Sequence, residues 1–156
     1  MLRNMTLADV SAIVAIEEEA FTSPWTEEAF VKELTQNHFA RYMVMVDDGE
    51  IIGYGGMWVI IDEAHVTNIA LRPAYRGRGL GDRLLSELQQ AAVKSGAARM
   101  TLEVRASNEI AQRLYRKKGF EAAGVRPGYY SDNMEDAIIM WAQLERAGME
   151  NNDDNE

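Results

Sequence analysis

The chain has no cysteine, which excludes disulfides, thiolate metal sites and a cysteine nucleophile; any group it transfers must move to a different attacking atom. It also lacks a long hydrophobic run, and its first residues, MLRNMTLADV, carry no apolar stretch of the kind a secretory signal needs. These absences predict a soluble, cytoplasmic protein with no membrane partner. Basic residues are outnumbered, 16 Lys and Arg against 25 Asp and Glu, for a net charge of -9. That balance argues against a nucleic-acid partner, because phosphate backbones bind a basic footprint. His38 and His65 show no ligand spacing with carboxylates, so no metal is expected.

What is present suits one packed domain, since 156 residues with 47% hydrophobic content make a single core. We expect that domain over residues 1–144. The segment from Glu145 onward, ERAGMENNDDNE, holds five acids against one arginine and has no apolar periodicity. It reads as an acidic, disordered tail over 145–156.

Thr6-Leu7-Ala8-Asp9 predicts a capping box opening a helix with Val10, Ile13, Val14, Ala20 and Phe21 on its apolar side. Ser23-Pro24-Trp25 breaks it, and Thr26 caps a second helix ending near Asn37, with Trp25 and Phe30 spaced as a hydrophobic staple. Arg41 to Val46 and Ile51 to Ile60 read as strands joined by a turn at Asp47-Asp48-Gly49, and His65 to Leu71 as a third. After Pro73 a helix carries Leu80, Leu84, Leu85, Leu88, Ala91 and Ala92, closed by Gly96. Met100 to Val104 reads as a strand, and Asn108 as the cap of a helix carrying Ile110, Ala111, Leu114 and Tyr115, in which Ala111 and Leu114 serve the core and Tyr115 faces a different side. Strands near Phe120 to Val125 and Ala137 to Leu144 complete an α+β fold on a largely antiparallel mixed sheet.

The sharpest feature is strand, then Arg76-Gly77-Arg78-Gly79-Leu80-Gly81, then helix. Amides at a helix start have no internal partner and sit at the positive end of the dipole, so they suit a phosphate or pyrophosphate. Arg72, Arg76, Arg78 and Arg83 add cationic side chains in an otherwise acidic chain. A dinucleotide fingerprint in register with Gly77 or Gly79 needs glycine at Asp82 or Leu84, and a phosphate loop from Gly77 needs Gly-Lys at Asp82-Arg83. Both fail.

The loop fits instead the R/Q-x-x-G-x-G/A signature of the Gcn5-related N-acetyltransferase (GNAT) superfamily, as Arg76-x-x-Gly79-x-Gly81. Asn68-Ile69-Ala70-Leu71-Arg72-Pro73 resembles that superfamily's strand into the loop, and Leu102-Glu103-Val104-Arg105-x-x-Asn108 with Leu114-Tyr115-x-x-x-Gly119-Phe120 its following strand and helix. Ser23-Pro24-Trp25, Arg126 with Tyr129-Tyr130, and Glu135-Asp136-Ala137-x-x-Met140 are similar to the bacterial ribosomal-protein alanine N-acetyltransferases of the Rim type.

The resemblance implies acetyl-CoA as co-substrate and direct transfer to the N-terminal alanine of small-subunit ribosomal protein eighteen, without an acetyl-enzyme. It implies that the amides from Gly77 through Arg78, Gly79, Leu80 and Gly81 to Asp82, with Arg76, hold the CoA pyrophosphate. Ile69, Ala70 and Leu71 would pair with the pantetheine arm by main chain, Glu103 would accept the amine's proton, and Tyr115 would protonate the leaving thiolate. For Glu103 a surface pair with Arg105 also fits, and for Tyr115 a half-buried core aromatic. Asn108 suits both a cofactor contact and a helix cap, and Tyr129 and Tyr130 both a peptide groove and hairpin packing. A broader protein or small-molecule amine acetyltransferase, or a non-catalytic CoA-binding module, shares most of these features.

Overall fold

Alternating burial along the strands and threefold-to-fourfold spacing along the helices set the elements. The computed structural model describes residues 1–144; the acidic segment expected as a tail lies outside the described residues. Among these, the strands are β1 (Leu2–Asn4), β2 (Ala40–Asp47), β3 (Glu50–Ile60), β4 (Glu63–Leu71), β5 (Arg99–Arg105), β6 (Glu121–Tyr130) and β7 (Glu135–Gln143). The helices are α1 (Val10–Ala20), α2 (Glu27–Gln36), α3 (Leu80–Lys94) and α4 (Glu109–Lys117). The sheet order is β1-β2-β3-β4-β5-β7-β6. β4 and β5 pair in parallel, while β1 with β2, β2 with β3, β5 with β7 and β6 with β7 pair antiparallel. This is the expected α+β architecture, with β1 as an additional edge strand.

The described chain divides into two compact units, Met1–Trp58 with Thr67–Leu88, and Val59–Val66 with the described residues from Gln89 onward. In the first, Val10, Ile13 and Ile16 of α1 join Phe30, Tyr42, Val44 and Tyr54 in one core. Phe30 meets the Tyr42 and Tyr54 rings edge-on and lies 5.4 Å from Trp25, which forms the expected staple. Thr26 Oγ1 accepts the Ala29 N–H at 3.2 Å. The first helix starts later than its capping signal suggests. A 3-10 turn, Leu7–Asp9, comes first, with Asp9 accepting the Thr6 N–H at 2.8 Å. Phe21, expected in the core, ends the helix 41% exposed, and Ile16 and Glu17 are buried instead. In the β2–β3 turn Asp48 and Gly49 both have left-handed φ, 50° and 78°, as a two-residue hairpin that follows strand twist requires.

In the second unit Met100, Leu102 and Val104 of β5 are buried with Ala137, Met140 and Ala142 of β7. Gly96, at φ 96°, closes α3 as expected. The buried face of α4 differs from the expected one: Ala111 and Leu114 are only half-buried, Gln112 and Tyr115 are buried, and Ile110 is 83% exposed. Gln112 Nε2 donates to the Arg105 and Ala106 carbonyls, each at 3.0 Å, which satisfies its polar group inside. β6 extends past Val125 and carries Tyr129 and Tyr130 on a strand. Among the described residues no helix is long and apolar enough to cross a membrane.

Candidate functional site

In the first unit β4 leads through a 3-10 turn, Pro73–Tyr75, into the glycine-rich loop. Gly77 and Gly79 have φ of 77° and 78°, and a Cβ at either would meet no atom within 4 Å. Backbone conformation therefore demands glycine here, and the space beside the loop is open for a ligand to approach. The loop's first hydrogen bond into α3 runs from Arg83 N–H to Gly79 C=O at 3.2 Å. The amides of Leu80, Gly81 and Asp82 thus lie ahead of the helical ladder, where an anion is favoured. The loop fits the pyrophosphate of a CoA on these grounds. Its arginines are less available than the sequence suggests. Arg72 Nε donates to the Ile51 carbonyl at 3.0 Å, Arg76 Nε to that of Leu71 at 3.3 Å, and Arg78 lies 5.1 Å from the Tyr75 ring centre. Ile69 and Leu71 lie on the half-exposed face of β4, and Ala70 on the buried one.

In the second unit Glu103 stands on the half-exposed face of β5, alternating with buried Leu102 and Val104. The parallel register sets His65 beside Thr101, one alternation away on the same face of β5. His65 Nε2 lies 2.7 Å from Glu103 Oε2, and Arg126 Nε lies 3.8 Å from Oε1. Burial pushes the Glu103 carboxyl up, but the His65 hydrogen bond, the charge of a protonated His65 and that of Arg126 outweigh it and hold the group below the usual carboxylate range. The pair with Arg105 that the sequence allows is not formed. Arg105 binds Asp132 at 2.9 Å and Glu135 at 3.3 Å, and its guanidinium lies 4.0 Å from the Tyr130 ring centre.

Tyr115 packs on Phe120 with ring centres 5.8 Å apart. Burial, with a lesser contribution from Tyr130, pushes its phenol up to about 12, so at neutral pH it holds its proton. Tyr115 is the buried aromatic of α4, which differs from the expectation that Ala111 and Leu114 fill the core and turn it elsewhere. Asn108 is exposed and caps α4, its Oδ1 accepting the Ala111 N–H at 3.1 Å. Tyr129 is 46% exposed, 5.7 Å from the Arg126 guanidinium, and lies edge-on to Tyr130. His65 and Arg126 are the site residues that sequence reasoning left without a role beside Glu103. Period-two burial in β4 and β5 is the signal that could have paired His65 with Glu103.

The profile of the Acetyltransferase (GNAT) family matches residues 10–120. The chain belongs to the GNAT acetyltransferases. A Bacillus subtilis relative, whose name gives it [ribosomal protein bS18]-alanine N-acetyltransferase activity provisionally, is 46% identical over 143 residues, 92% of this chain and 95% of that one. The crystal structure of the ribosomal-protein-S18-alanine N-acetyltransferase from Escherichia coli matches with a TM-score of 0.85 and 36% identity, covering 92% of this chain and 93% of the other. A GNAT phosphinothricin acetyltransferase from Sinorhizobium meliloti, solved with AcCoA, matches with a TM-score of 0.78 and 25% identity over 92% of this chain and 88% of that one.

For a GNAT enzyme the second unit offers two complementary groups. Glu103 is an anionic acceptor beside His65 and the Arg126 guanidinium, and Tyr115 is a neutral donor with a raised pKa. Environments that push two titratable groups apart in this way suit base and acid roles.

Proposed function

We propose that this GNAT enzyme is a cytoplasmic N-alpha-acetyltransferase that moves the acetyl group of acetyl-CoA to the N-terminal alanine of ribosomal protein bS18 by direct transfer. The observation that carries this is the likeness to the Bacillus and Escherichia relatives over nearly the whole described chain, at 46% and 36% identity. It spans Glu103, Tyr115 and the loop alike.

Bound acetyl-CoA supplies an activated thioester to the amine. The amides from Gly77 to Asp82 hold its pyrophosphate, with Arg76 beside them. Ile69, Ala70 and Leu71 align the pantetheine arm by main-chain hydrogen bonds, and Asn108 offers its amide nitrogen while its oxygen caps α4. An α-amino group with a pKa of about 7.7 to 8.0 is mostly protonated at neutral pH and must lose that proton to attack. Glu103 accepts it, directly or through a water, and Tyr115 gives its phenolic proton to the departing thiolate.

The test is acetylation of a peptide with the bS18 N-terminus, with mass spectrometry locating the added acetyl group. Modification of the α-amine, much slower when alanine is replaced or the amine is blocked, supports the assignment. Acetylation of small polyamines but not of the peptide overturns it.

A further inference from the structure

A carboxylate is an effective base only where its oxygens are held in place, and a glutamate side chain has several rotatable bonds to hold. Displacing a reacting group by about 1 Å can cost about a hundredfold in rate. Within the second unit, the strand neighbours of Glu103 give its carboxylate little grip. Ile139, its pairing partner on β7, is apolar, and Arg105, the next charged residue on the same face of β5, is committed to Asp132 and Glu135. The hold has to come from another element.

His65 of β4 supplies it. The pairing Glu63↔Arg99, Ala64↔Met100, His65↔Thr101 fixes its backbone opposite Thr101, one alternation before Glu103 on β5. From there its Nε2 reaches to 2.7 Å from Glu103 Oε2, the distance of a charge-assisted hydrogen bond. Glu103 is held below the usual carboxylate range and has no proton to give at neutral pH, so Nε2 carries the proton and donates it. The other oxygen, Oε1, has Arg126 Nε at 3.8 Å, an ion pair beyond hydrogen-bond distance.

We propose that His65 is a positioning residue for Glu103: its Nε2–H fixes Oε2 and leaves Oε1 to take the proton of the substrate amine, directly or through a water. This rests on the acetyltransferase function above and adds a residue to it. The imidazole keeps its Nε2 proton throughout; it orients the base and takes no part in the transfer. A base oriented by a further hydrogen-bonding group is a recurring arrangement in group-transfer sites.

The groups facing the carboxylate come from two strands, His65 from β4 and Arg126, Tyr129 and Tyr130 from β6. Burial pushes the Glu103 carboxyl up, and the His65 hydrogen bond is the foremost of the contributions that hold it down. The two phenols are raised, chiefly by burial, and stay neutral near pH 7. Removing the His65 donor while Arg126 and the phenols remain therefore moves the Glu103 titration upward.

The experiment compares wild type, His65→Gln and His65→Leu in the full chain. The amide nitrogen of glutamine falls near the place of histidine Nε2 and donates the same bond without titrating, whereas leucine fills the space without a donor. With acetyl-CoA and the alanine peptide, positioning predicts a kcat within about threefold of wild type for His65→Gln and about tenfold or more below it for His65→Leu, with the KM for acetyl-CoA changed less than about twofold in both. In the protein without acetyl-CoA, carbon-13 NMR of the side-chain carboxyl should show Glu103 titrating at higher pH in His65→Leu than in His65→Gln. His65→Ala takes the place of His65→Leu if the leucine variant does not fold. Equal kcat or equal Glu103 titration in the donor and donorless variants overturns the positioning role while leaving the acetyltransferase function standing. If wild type acetylates some other amine instead, the bS18 assignment falls, and a kcat ratio between the two variants below about threefold on that amine overturns the positioning role as well. A wild-type protein that acetylates no primary amine overturns both.

Discussion

The carboxylate of Glu17 accepts the hydroxyl proton of Tyr54 in the core of the first unit. Glu17 is 1% exposed, and it also accepts the Trp25 N–H at 3.1 Å and Asn68 Nδ2 at 3.3 Å. The α1 helix is thus tied to β3, β4 and the segment before α2 by one buried acid. A buried charge is tolerable only while its partners remain. Tyr54→Phe keeps the ring packing but removes one donor to a charged acceptor, so we expect a loss of about 2 kcal/mol. Glu17→Ala strands three donors and opens a cavity, at about 3–5 kcal/mol. Urea denaturation of the two variants checks the order; equal stability of Tyr54→Phe and wild type would contradict it.

Asp9 gives a pH signature. The Arg3 hydrogen bonds, at 2.8 and 2.9 Å, are the main cause holding its carboxyl down to about 2, with the Thr6 N–H and hydroxyl adding to them against burial. A folded-state pKa below the unfolded value contributes stability at higher pH that is lost as pH falls through it. The contribution is about 1–2 kcal/mol, present above roughly pH 4 and lost on the way to pH 2. Asp9→Asn should therefore be less stable than wild type at pH 7, with the gap narrowing toward pH 2. Denaturation midpoints at the two ends of this window measure it.

These two carboxylates also show where sequence was legible. Local signals such as the Asp48-Gly49 turn, the Thr26 and Asn108 caps and the Gly96 stop each depend on a few neighbouring residues, and each stands where expected. Asp9 was legible as a capping residue, but its bond to Arg3 depends on the entry of β1, a strand of three residues with too short a pattern to declare itself. Glu17 is a charged residue on the buried side of a helix, against the usual pattern, because Tyr54 and Asn68 reach it from distant strands. The same holds at the site: the glycine loop is contiguous and was visible, whereas the His65–Glu103 contact spans 38 residues and exists only through the β4–β5 register. Apolar spacing on α4 points to Ala111 and Leu114 as its core face, whereas the helix buries Gln112 against two carbonyls.

Ile61, in the β3–β4 turn, has a left-handed φ of 57° and is 89% exposed. A β-branched residue is costly in that region, and this one gains little burial in return. Ile61→Gly should stabilise the protein by about 1 kcal/mol after the unfolded-state entropy of glycine is set against the relieved strain. Thermal unfolding should then rise by roughly 2–4 °C, and a lower midpoint would count against strain at this turn.

Gly79→Ala puts the opposite stress on the loop. No atom stands within 4 Å of the added Cβ, so the cost is conformational, about 1–2 kcal/mol for an L-residue at φ 78°. If the loop yields by leaving the left-handed region, the amides that precede α3 turn away from the anion they are proposed to hold. We expect the KM for acetyl-CoA to rise by about tenfold or more while the peptide KM holds. A KM for acetyl-CoA unchanged in Gly79→Ala and Gly77→Ala would remove the loop from cofactor binding.

Tyr115→Phe separates the acid role from packing. The phenyl ring can keep its contact with Phe120, so thermal stability should stay within about 2 °C of wild type. With the proton donor gone, kcat should fall by about a hundredfold, as removal of a general acid typically does. The sign of the pH effect follows from the raised pKa. A phenol displaced upward to about 12 is protonated, and so able to donate, at every lower pH, and burial is what displaces it. Wild-type kcat should therefore show no alkaline decline from this residue below about pH 11. A descending limb near pH 8 to 9 that vanishes in Tyr115→Phe would show instead that the phenol ionises far earlier and is not the neutral donor its burial implies.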